Sequence, residues 1–380
     1  MEKAVHIITR LDFGGAQGNT LYTAAHLDRA RFEPLIITGR GGILDGEAPP
    51  GLLLESRYLA RSINPWKDAA AFFELRSMLK ELRPALVHTH SSKAGILGRL
   101  AAASAGVPVI IHTFHGFGFH PRQNFLVRSL YVALEKFCAR FCDALVFVSR
   151  ANMETARQAG IGRQAQYRLI RSGVKLSNYP ATGRAARRAE FGFAADNVVV
   201  VSIGNAKPQK NPGAFLAAAA RLAAAHPRAR FLFVGGGESL DSLRAGAREL
   251  GLEKTCIFTG WRKDTPELLA AGDIFALTSL WEGLPRSLVE AMRTGLPSVC
   301  YLTDGVADIL QDGRNGFAVK QGDLDAFCAA LSRLISDEDL RGRLAAGAAA
   351  ADLAEFDIDF MVRSQEELYS ELLRGKGANR

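Results

Sequence analysis

Two carboxylates eight positions apart, Glu282 and Glu290, bracket a segment whose residue types suit the gripping of a polar, phosphorylated ligand. The apolar run 274–277 reads as a strand, and the polar loop after it delivers Glu282 and Gly283 at the carboxyl end of that strand. A helix is expected to open near Pro285, where a missing N–H costs least, and to carry Glu290 more than one turn inside. The free N–H groups of a helix start and the positive end of its dipole make an anion seat. Two acids flanking such a seat suit a ligand with hydroxyls at both ends and phosphate in the middle, a description that a nucleotide sugar fits.

Other loops of the same kind recur at expected strand ends. Gly204-Asn205-Ala206-Lys207-Pro208-Gln209-Lys210 follows the apolar run 198–203, and Gly235-Gly236-Gly237 follows the run 231–234, where absent side chains let backbone approach a ligand closely. Gly260-Trp261-Arg262 closes a further short run. In the first half, Phe13-Gly14-Gly15-Ala16-Gln17-Gly18 joins the first strand to its helix, but neither the three-glycine spacing nor the acidic residue of a dinucleotide fingerprint is evident. His88-Thr89-His90-Ser91-Ser92-Lys93 and His112-Thr113-Phe114-His115-Gly116 end two more strands, the position at which α/β proteins place ligands.

The segment Trp281-Glu282-Gly283-Leu284-Pro285, followed by Glu290-Ala291-Met292, resembles the Glu-x7-Glu motif of the family 4 retaining glycosyltransferases, and the other loops extend the resemblance over nearly the whole chain. The resemblance implies that Glu282 contacts donor-sugar hydroxyls, that Glu290 holds the ribose, and that Gly283, Leu284 and Pro285 line the sugar and diphosphate. It places Gly236, Trp261 and Arg262 near the nucleotide, and Gly14 and Gly15 against donor phosphate. Lys210 matches the family lysine that neutralises the departing diphosphate. Asn205 stands where the family carries arginine, a loss of charge that Lys207 is placed to offset. His115 matches the histidine beside the reacting sugar, and Gln17, His90 and Lys93 resemble an acceptor-side loop. By the same resemblance the catalytic residues are His115, Glu282 and Lys210, with no metal and no cofactor.

The elements that must position these residues alternate strand and helix twice over, which predicts an α/β chain of two doubly wound, Rossmann-like domains. Boundaries are expected at 1–178, an acceptor-binding domain; 179–358, a nucleotide-sugar domain; and 359–380, a helix and tail packing back on the first. In the resembled family this is the GT-B arrangement, the two domains facing across a cleft. A length of 380 residues suffices for two cores, and 48% hydrophobic residues describe a globular protein. No apolar run is long enough to span a bilayer, and the first residues lack signal-peptide anatomy, so a cytoplasmic location is expected.

Residues 1–180 carry 23 Lys and Arg against 13 Asp and Glu, whereas 181–380 carry 24 against 26. This asymmetry suits an anionic partner or simple solubility. The segment 121–140 mixes bulky apolar with basic residues and fits either an anionic membrane surface or an ordinary helix with a basic outer face. The five cysteines read as reduced, packed thiols, and the paired acids Asp323/Asp325, Asp337/Asp339 and Asp357/Asp359 as helix starts or turns. The expected activity is transfer of a sugar from a UDP-linked donor to a glycan or polyprenyl-diphosphate-linked oligosaccharide, with no nucleic-acid partner. The rival readings are a GT-B sugar-nucleotide epimerase or hydrolase, and a non-catalytic nucleotide-sugar-binding subunit.

Overall fold

The computed structural model describes residues 1–120, 123–180 and 182–377, and its contacts divide the chain into two units, 1–173 with 355–380 and 174–354. Unit 1 is built on strands β1 (Glu2–Ile8), β2 (Phe32–Gly39), β3 (Leu53–Ser56), β4 (Leu86–His90), β5 (Val109–Phe114), β6 (Ala144–Phe147) and β7 (Tyr167–Leu169). They form one parallel sheet in the order β3-β2-β1-β4-β5-β6-β7. Between them run α1 (Gly15–His26), α2 (Pro65–Leu82), α3 (Ser92–Ala105), α4 (Phe125–Ala139) and α5 (Arg150–Ala159). Covered on both faces, β4, β5 and β6 are buried at every position, β4 and β5 carrying the polar residues His88, Thr89, His90, His112 and Thr113 near their ends.

Local chemistry sets the helix ends. Asn64 accepts a bond from the Lys67 amide, with Pro65 opening α2. Ser149 likewise caps α5 through Asn152, and Gly106 closes α3 in the left-handed region at φ 77°. The segment read as a helix from Pro121 begins at Phe125 behind an Asn124 cap; Pro121 and Arg122 lie outside the described residues, as do residues 378–380 of the expected tail.

Unit 2 repeats the plan. Strands β8 (Val198–Ile203), β9 (Ala229–Val234), β10 (Cys256–Phe258), β11 (Ile274–Leu277), β12 (Ser298–Tyr301) and β13 (Gly316–Val319) form a parallel sheet in the order β10-β9-β8-β11-β12-β13. Helices α6 (Arg184–Glu190), α7 (Pro212–Ala223), α8 (Leu240–Glu249), α9 (Thr265–Ala270), α10 (Arg286–Thr294), α11 (Leu324–Ser336) and α12 (Glu338–Ala349) accompany it. Asp323 and Asp337 cap α11 and α12, and Asp357 accepts from the amides of Asp359 and Phe360, so the three acidic pairs sit at helix starts.

The last helix, α13 (Ile358–Gly377), belongs to unit 1. Its Ile358, Met361, Val362, Leu368 and Tyr369 pack on Ala4, Leu86, Val109 and Ile111 from the sheet, each large buried apolar side chain contributing about 1.5–3 kcal/mol. All five cysteines are buried and unbridged. No helix among the described residues is long and apolar enough to cross a membrane.

In each sheet the strand order reverses direction at one point, between β1 and β4 and between β8 and β11. Loops leaving adjacent strands there diverge to opposite faces and leave a crevice at the carboxyl ends, the place where open α/β sheets bind ligands.

Candidate functional site

In unit 2 the two loops flanking that crevice are Gly204–Lys210 after β8 and Thr278–Leu284 after β11. They are bound to one another. The Thr278 hydroxyl donates to the carbonyls of Lys210 and Asn211 at 3.1 and 3.0 Å, the Leu280 amide to the Gln209 carbonyl at 2.8 Å, and the Gln209 amide group to the Trp281 carbonyl at 2.9 Å. The Lys210 ammonium pairs with the Glu282 carboxylate, the side chains being 17% and 6% exposed. Gly204 lets the Lys210 stem lie against the β8 turn, since a Cβ there would meet its methylenes at 3.2–3.4 Å.

Glu282 is fixed from a second side. Its amide donates to Asp304 at 2.9 Å, and Gly305 allows that segment to close on the loop, because a Cβ would strike the Gly283 carbonyl at 2.5 Å. Burial pushes the Asp304 carboxyl above its ordinary range. Among the described residues, the amides of Gly283 and Leu284 donate to no protein acceptor although both residues are buried. Buried amides need acceptors, and α10 opens immediately beyond them, with Pro285 as its N-cap residue.

Glu290 sits on the second turn of α10, half-buried. Burial raises its pKa, and the charges of Arg286 and Lys210 with the hydroxyl of Tyr179 pull it back. Lys210 thus touches Glu282 and feels Glu290. The cluster Glu282, Lys210, Glu290 and Arg286 sums to no net charge, so a diphosphate brought to it would be attracted only after displacing Lys210 from its acid. Asn205, Lys207 and Gly236 lie on the same strand ends; the Gly236 carbonyl accepts from the Ala206 amide at 2.8 Å, and Trp261 packs against Gly236, where a Cβ would come within 2.5 Å of its indole. Trp261 is 49% exposed and offers an aromatic face.

Arg262, expected near the nucleotide, is held by two acids. Its guanidinium is bonded by Asp264, at 2.8 and 2.6 Å, and by Glu190 at 2.6 Å, hydrogen bonds that raise its pKa and pin the loop to α6.

In unit 1, Gly14 caps α1 and the Gln17 side chain folds back over it; Gly15 is the first residue of the helix. Gln17, Ser91, Ser92 and Lys93 line a cavity of about 240 Å³ at the ends of β1 and β4, together with Arg61 and Ile63. Lys93 is held there by Asp68 and the Ser62 carbonyl. Ser91 has φ 62° and ψ 158°, a backbone region that costs a residue with a side chain about 1–3 kcal/mol, and its hydroxyl is tied to Thr9 at 2.8 Å.

His115 follows β5 and is partly exposed, and its Nε2 lies 3.1 Å from His90 Nδ1. His90, expected on the acceptor side, lies deeper. It is 2% exposed, with its Nε2 3.1 Å from His6 and its Nδ1 3.1 Å from His115. His6, His88 and His90 bring ring nitrogens within 4.8 Å of one another. They are a hydrogen-bonded core and not an open coordination set: His88 is engaged by Tyr369 at 2.6 Å and Thr113 at 2.7 Å, and His90 by His6 at 3.1 Å.

Reading the sequence missed Asp304, Gln209, Tyr179 and Arg286. The one signal for any of them is the Asp304-Gly305 pair after an apolar strand.

A model of the glycosyl transferase 4-like domain matches residues 14–173, and one of the glycosyl transferases group 1 matches residues 183–350. The UDP-Gal:alpha-D-GlcNAc-diphosphoundecaprenol alpha-1,3-galactosyltransferase of Escherichia coli is 34% identical over 287 residues, 74% of this chain and 74% of that protein. The N,N'-diacetylbacillosaminyl-diphospho-undecaprenol alpha-1,3-N-acetylgalactosaminyltransferase of Campylobacter jejuni is 28% identical over 328 residues, 82% of this chain and 84% of that protein. Among solved structures, Anabaena HepE in complex with UDP and glucose matches 98% of this chain and 100% of its own with a TM-score of 0.83 at 23% identity, a likeness of fold. With both units matched and a relative one-third identical over three-quarters of each chain, the protein is a glycosyltransferase belonging to the group 1, family 4 type, and its fold is GT-B.

Proposed function

We propose that the chain transfers a sugar from a UDP-linked donor to a hydroxyl of a polyprenyl-diphosphate-linked oligosaccharide, with retention of anomeric configuration and without metal. The observation that carries the reading is the joined pair of loops in unit 2. A lysine is poised between two glutamates beside two amides of buried residues that have no protein acceptor among the described residues, which is the complement of a diphosphate flanked by two polyols. In this reading Lys210, with Lys207 and Asn205, takes the charge that grows on the diphosphate as the sugar leaves. The amides of Gly283 and Leu284 and the first turn of α10 share that load, Glu282 orients sugar hydroxyls, and Glu290 holds the ribose. A donor phosphate oxygen takes the acceptor proton. Gly14 and Gly15 approach donor phosphate, while Gln17, Lys93 and His115 serve the acceptor.

The acceptor class rests on the two curated relatives, whose names both specify undecaprenyl-diphosphate sugars. Helix α4 supports a peripheral station where such lipids reside. Phe125, Leu126 and Leu130 are 74%, 74% and 60% exposed beside exposed Arg128, Lys136 and Arg140, a face suited to an anionic bilayer.

The reading predicts that UDP is released from a UDP-hexose only when an extract of polyprenyl-diphosphate glycans is supplied in anionic vesicles, that EDTA leaves the rate unchanged, and that proton NMR of the product shows the donor's anomeric configuration. UDP release that ignores the glycolipid would point to hydrolysis, and inversion of the anomeric centre would overturn the mechanism.

A further inference from the structure

Helices α2 and α4 both pack on α3, and because the strands of their sheet are all parallel, the three helices begin at its carboxyl edge. Their inner faces are ordinary. Ala71, Leu75 and Leu79 of α2 and Cys138 and Ala139 of α4 are buried, and Glu135 of α4 bonds Arg99 of α3 at 2.6 Å. The first turns are different. Ile63, Trp66 and Phe73 are 76%, 87% and 64% exposed, and residues 125–130 of α4 are all exposed. Met1 aside, every large apolar side chain of the described residues that is at least 60% exposed lies in α4 (Phe125, Leu126, Leu130) or in or directly before α2. Such side chains scattered singly over a surface need no explanation, but six gathered on two helices that flank a third mark an interaction site.

We propose that the starts of α2 and α4 dock together on an anionic bilayer, Ile63 and Trp66 forming one anchor and Phe125, Leu126 and Leu130 the other. Helix α2 thereby joins the peripheral contact proposed for α4, on which this inference rests.

Charge selects the occupant. Lys67 of α2 and Arg128, Lys136 and Arg140 of α4 are exposed and make no ion pair among the described residues. The nearby acids are already engaged: Glu135 with Arg99, Asp68 with Lys93, and Glu74 with the Ser56 hydroxyl and the amides of Arg57 and Tyr58. Exposed aromatic and aliphatic side chains among unpaired cations match anionic headgroups over hydrocarbon, and tryptophan favours the level where the two meet. A second copy of the chain meeting the same face would set cations against cations.

Both helix starts are rigid. Asn64 accepts from the Lys67 amide at 3.0 Å and Asn124 from the Leu126 amide at 2.9 Å, each cap lying beside its apolar anchor, with Pro65 fixing the first residue of α2. Little backbone freedom is left to lose on docking. On either side of α3 the two helices stand about 20 Å apart, twice an ordinary interhelical spacing. The cavity lined by Arg61, Ile63, Ser92, Lys93 and Tyr131 lies between them. Docking brings it to the level of the headgroups, where a polyprenyl diphosphate carries its charge.

Trp66 reports on the contact directly. The chain has three tryptophans, and Trp261→Phe combined with Trp281→Phe leaves Trp66 as the single emitter. With vesicles of equimolar phosphatidylglycerol and phosphatidylcholine, and neither donor nor acceptor present, its emission should shift to the blue and be quenched by lipids brominated on their acyl chains. Phosphatidylcholine alone should produce neither effect. In sedimentation of the otherwise unaltered protein with the anionic vesicles, Trp66→Ser and Phe125→Ser should each weaken binding at least about fivefold, the scale of losing one large apolar side chain from a buried contact. Both positions are too exposed to carry the fold. Unshifted Trp66 emission in vesicle-bound protein, or unchanged binding of Trp66→Ser, overturns the second anchor. Absence of vesicle binding, or a concentration-dependent dimer that Trp66→Ser disperses, overturns the bilayer as occupant. Neither measurement uses turnover, so a failure of the transfer assay leaves both outcomes standing.

Discussion

Glu282→Gln lowers turnover by about 10²-fold and leaves the affinity for UDP unweakened. The amide keeps the volume of the glutamate and one hydrogen bond to Lys210, but it loses the charge that both orients sugar hydroxyls and holds the ammonium of Lys210, a pair only 17% and 6% exposed. A residue that acts on the sugar in the transition state lowers kcat and kcat/KM together when removed, and losing a charged hydrogen-bond partner in a sheltered site is worth about 1.5–3 kcal/mol, or roughly one to two orders of magnitude in rate. UDP lacks the transferred sugar and competes with Glu282 for Lys210. Freeing the lysine therefore leaves UDP binding as tight or tighter. Steady-state kinetics with parallel calorimetry separate the two effects. Turnover within twofold of wild type, or UDP affinity falling in step with turnover, would remove Glu282 from its assigned role.

Unit 1 loses several kcal/mol of stability between pH 7.5 and pH 5, and unit 2 does not. The histidines of β1, β4 and β5 are held neutral by burial: the pKa of His6 falls to about 4, and those of His88, His90 and His112 lie well below the ordinary value. In the unfolded chain each titrates near 6.5. Stability is therefore fully present above about pH 6.5 and declines as pH falls toward 4, because the unfolded state binds protons that the folded state refuses.

At pH 5 each such group gives up about 2 kcal/mol, a large share of an ordinary total of about 5–15 kcal/mol. The buried acids of unit 2 have the opposite sign. Glu290 and Asp304 are raised, so their native forms take protons before their unfolded forms do, which favours the folded state as pH falls. Hydrogen exchange, corrected for the intrinsic pH dependence of amide exchange, should show protection lost in β1, β4 and β5 ahead of β8, β11 and β12. Equal loss in both units, or a flat profile in unit 1, contradicts this account.

What the sequence made legible is confined to features written in consecutive residues. The strands with strongly apolar runs, β8, β9 and β11 among them, announce themselves, and so do the glycine and acid loops that follow them. The strands it hides are β3, β7 and β13, all at sheet edges, three or four residues long and partly exposed, where an apolar run is neither long enough nor pure enough to stand out.

The site shows the same division. Glu282, Glu290 and Lys210 could be chosen as residues, but the ion pair between Lys210 and Glu282 joins positions 72 apart, and Asp304 reaches the Glu282 amide because β12 lies beside β11. His90 and His115 read as two separate loop histidines. Only the adjacency of β1 and β4 shows that His6, 84 positions from His90, completes a chain with them. Nothing local to Arg262 reveals its bond to Glu190, 72 positions away.

The central claim is that the loops after β8 and β11 hold the diphosphate of a nucleotide sugar, with Lys210 as their cation. Isothermal titration of UDP into the wild-type protein and into Lys210→Ala tests it most directly. One site per chain is predicted for the wild type, with affinity at least about tenfold weaker in the variant, a difference of about 1.4 kcal/mol or more. Equal affinity in the two proteins, or no binding of UDP to either, contradicts it.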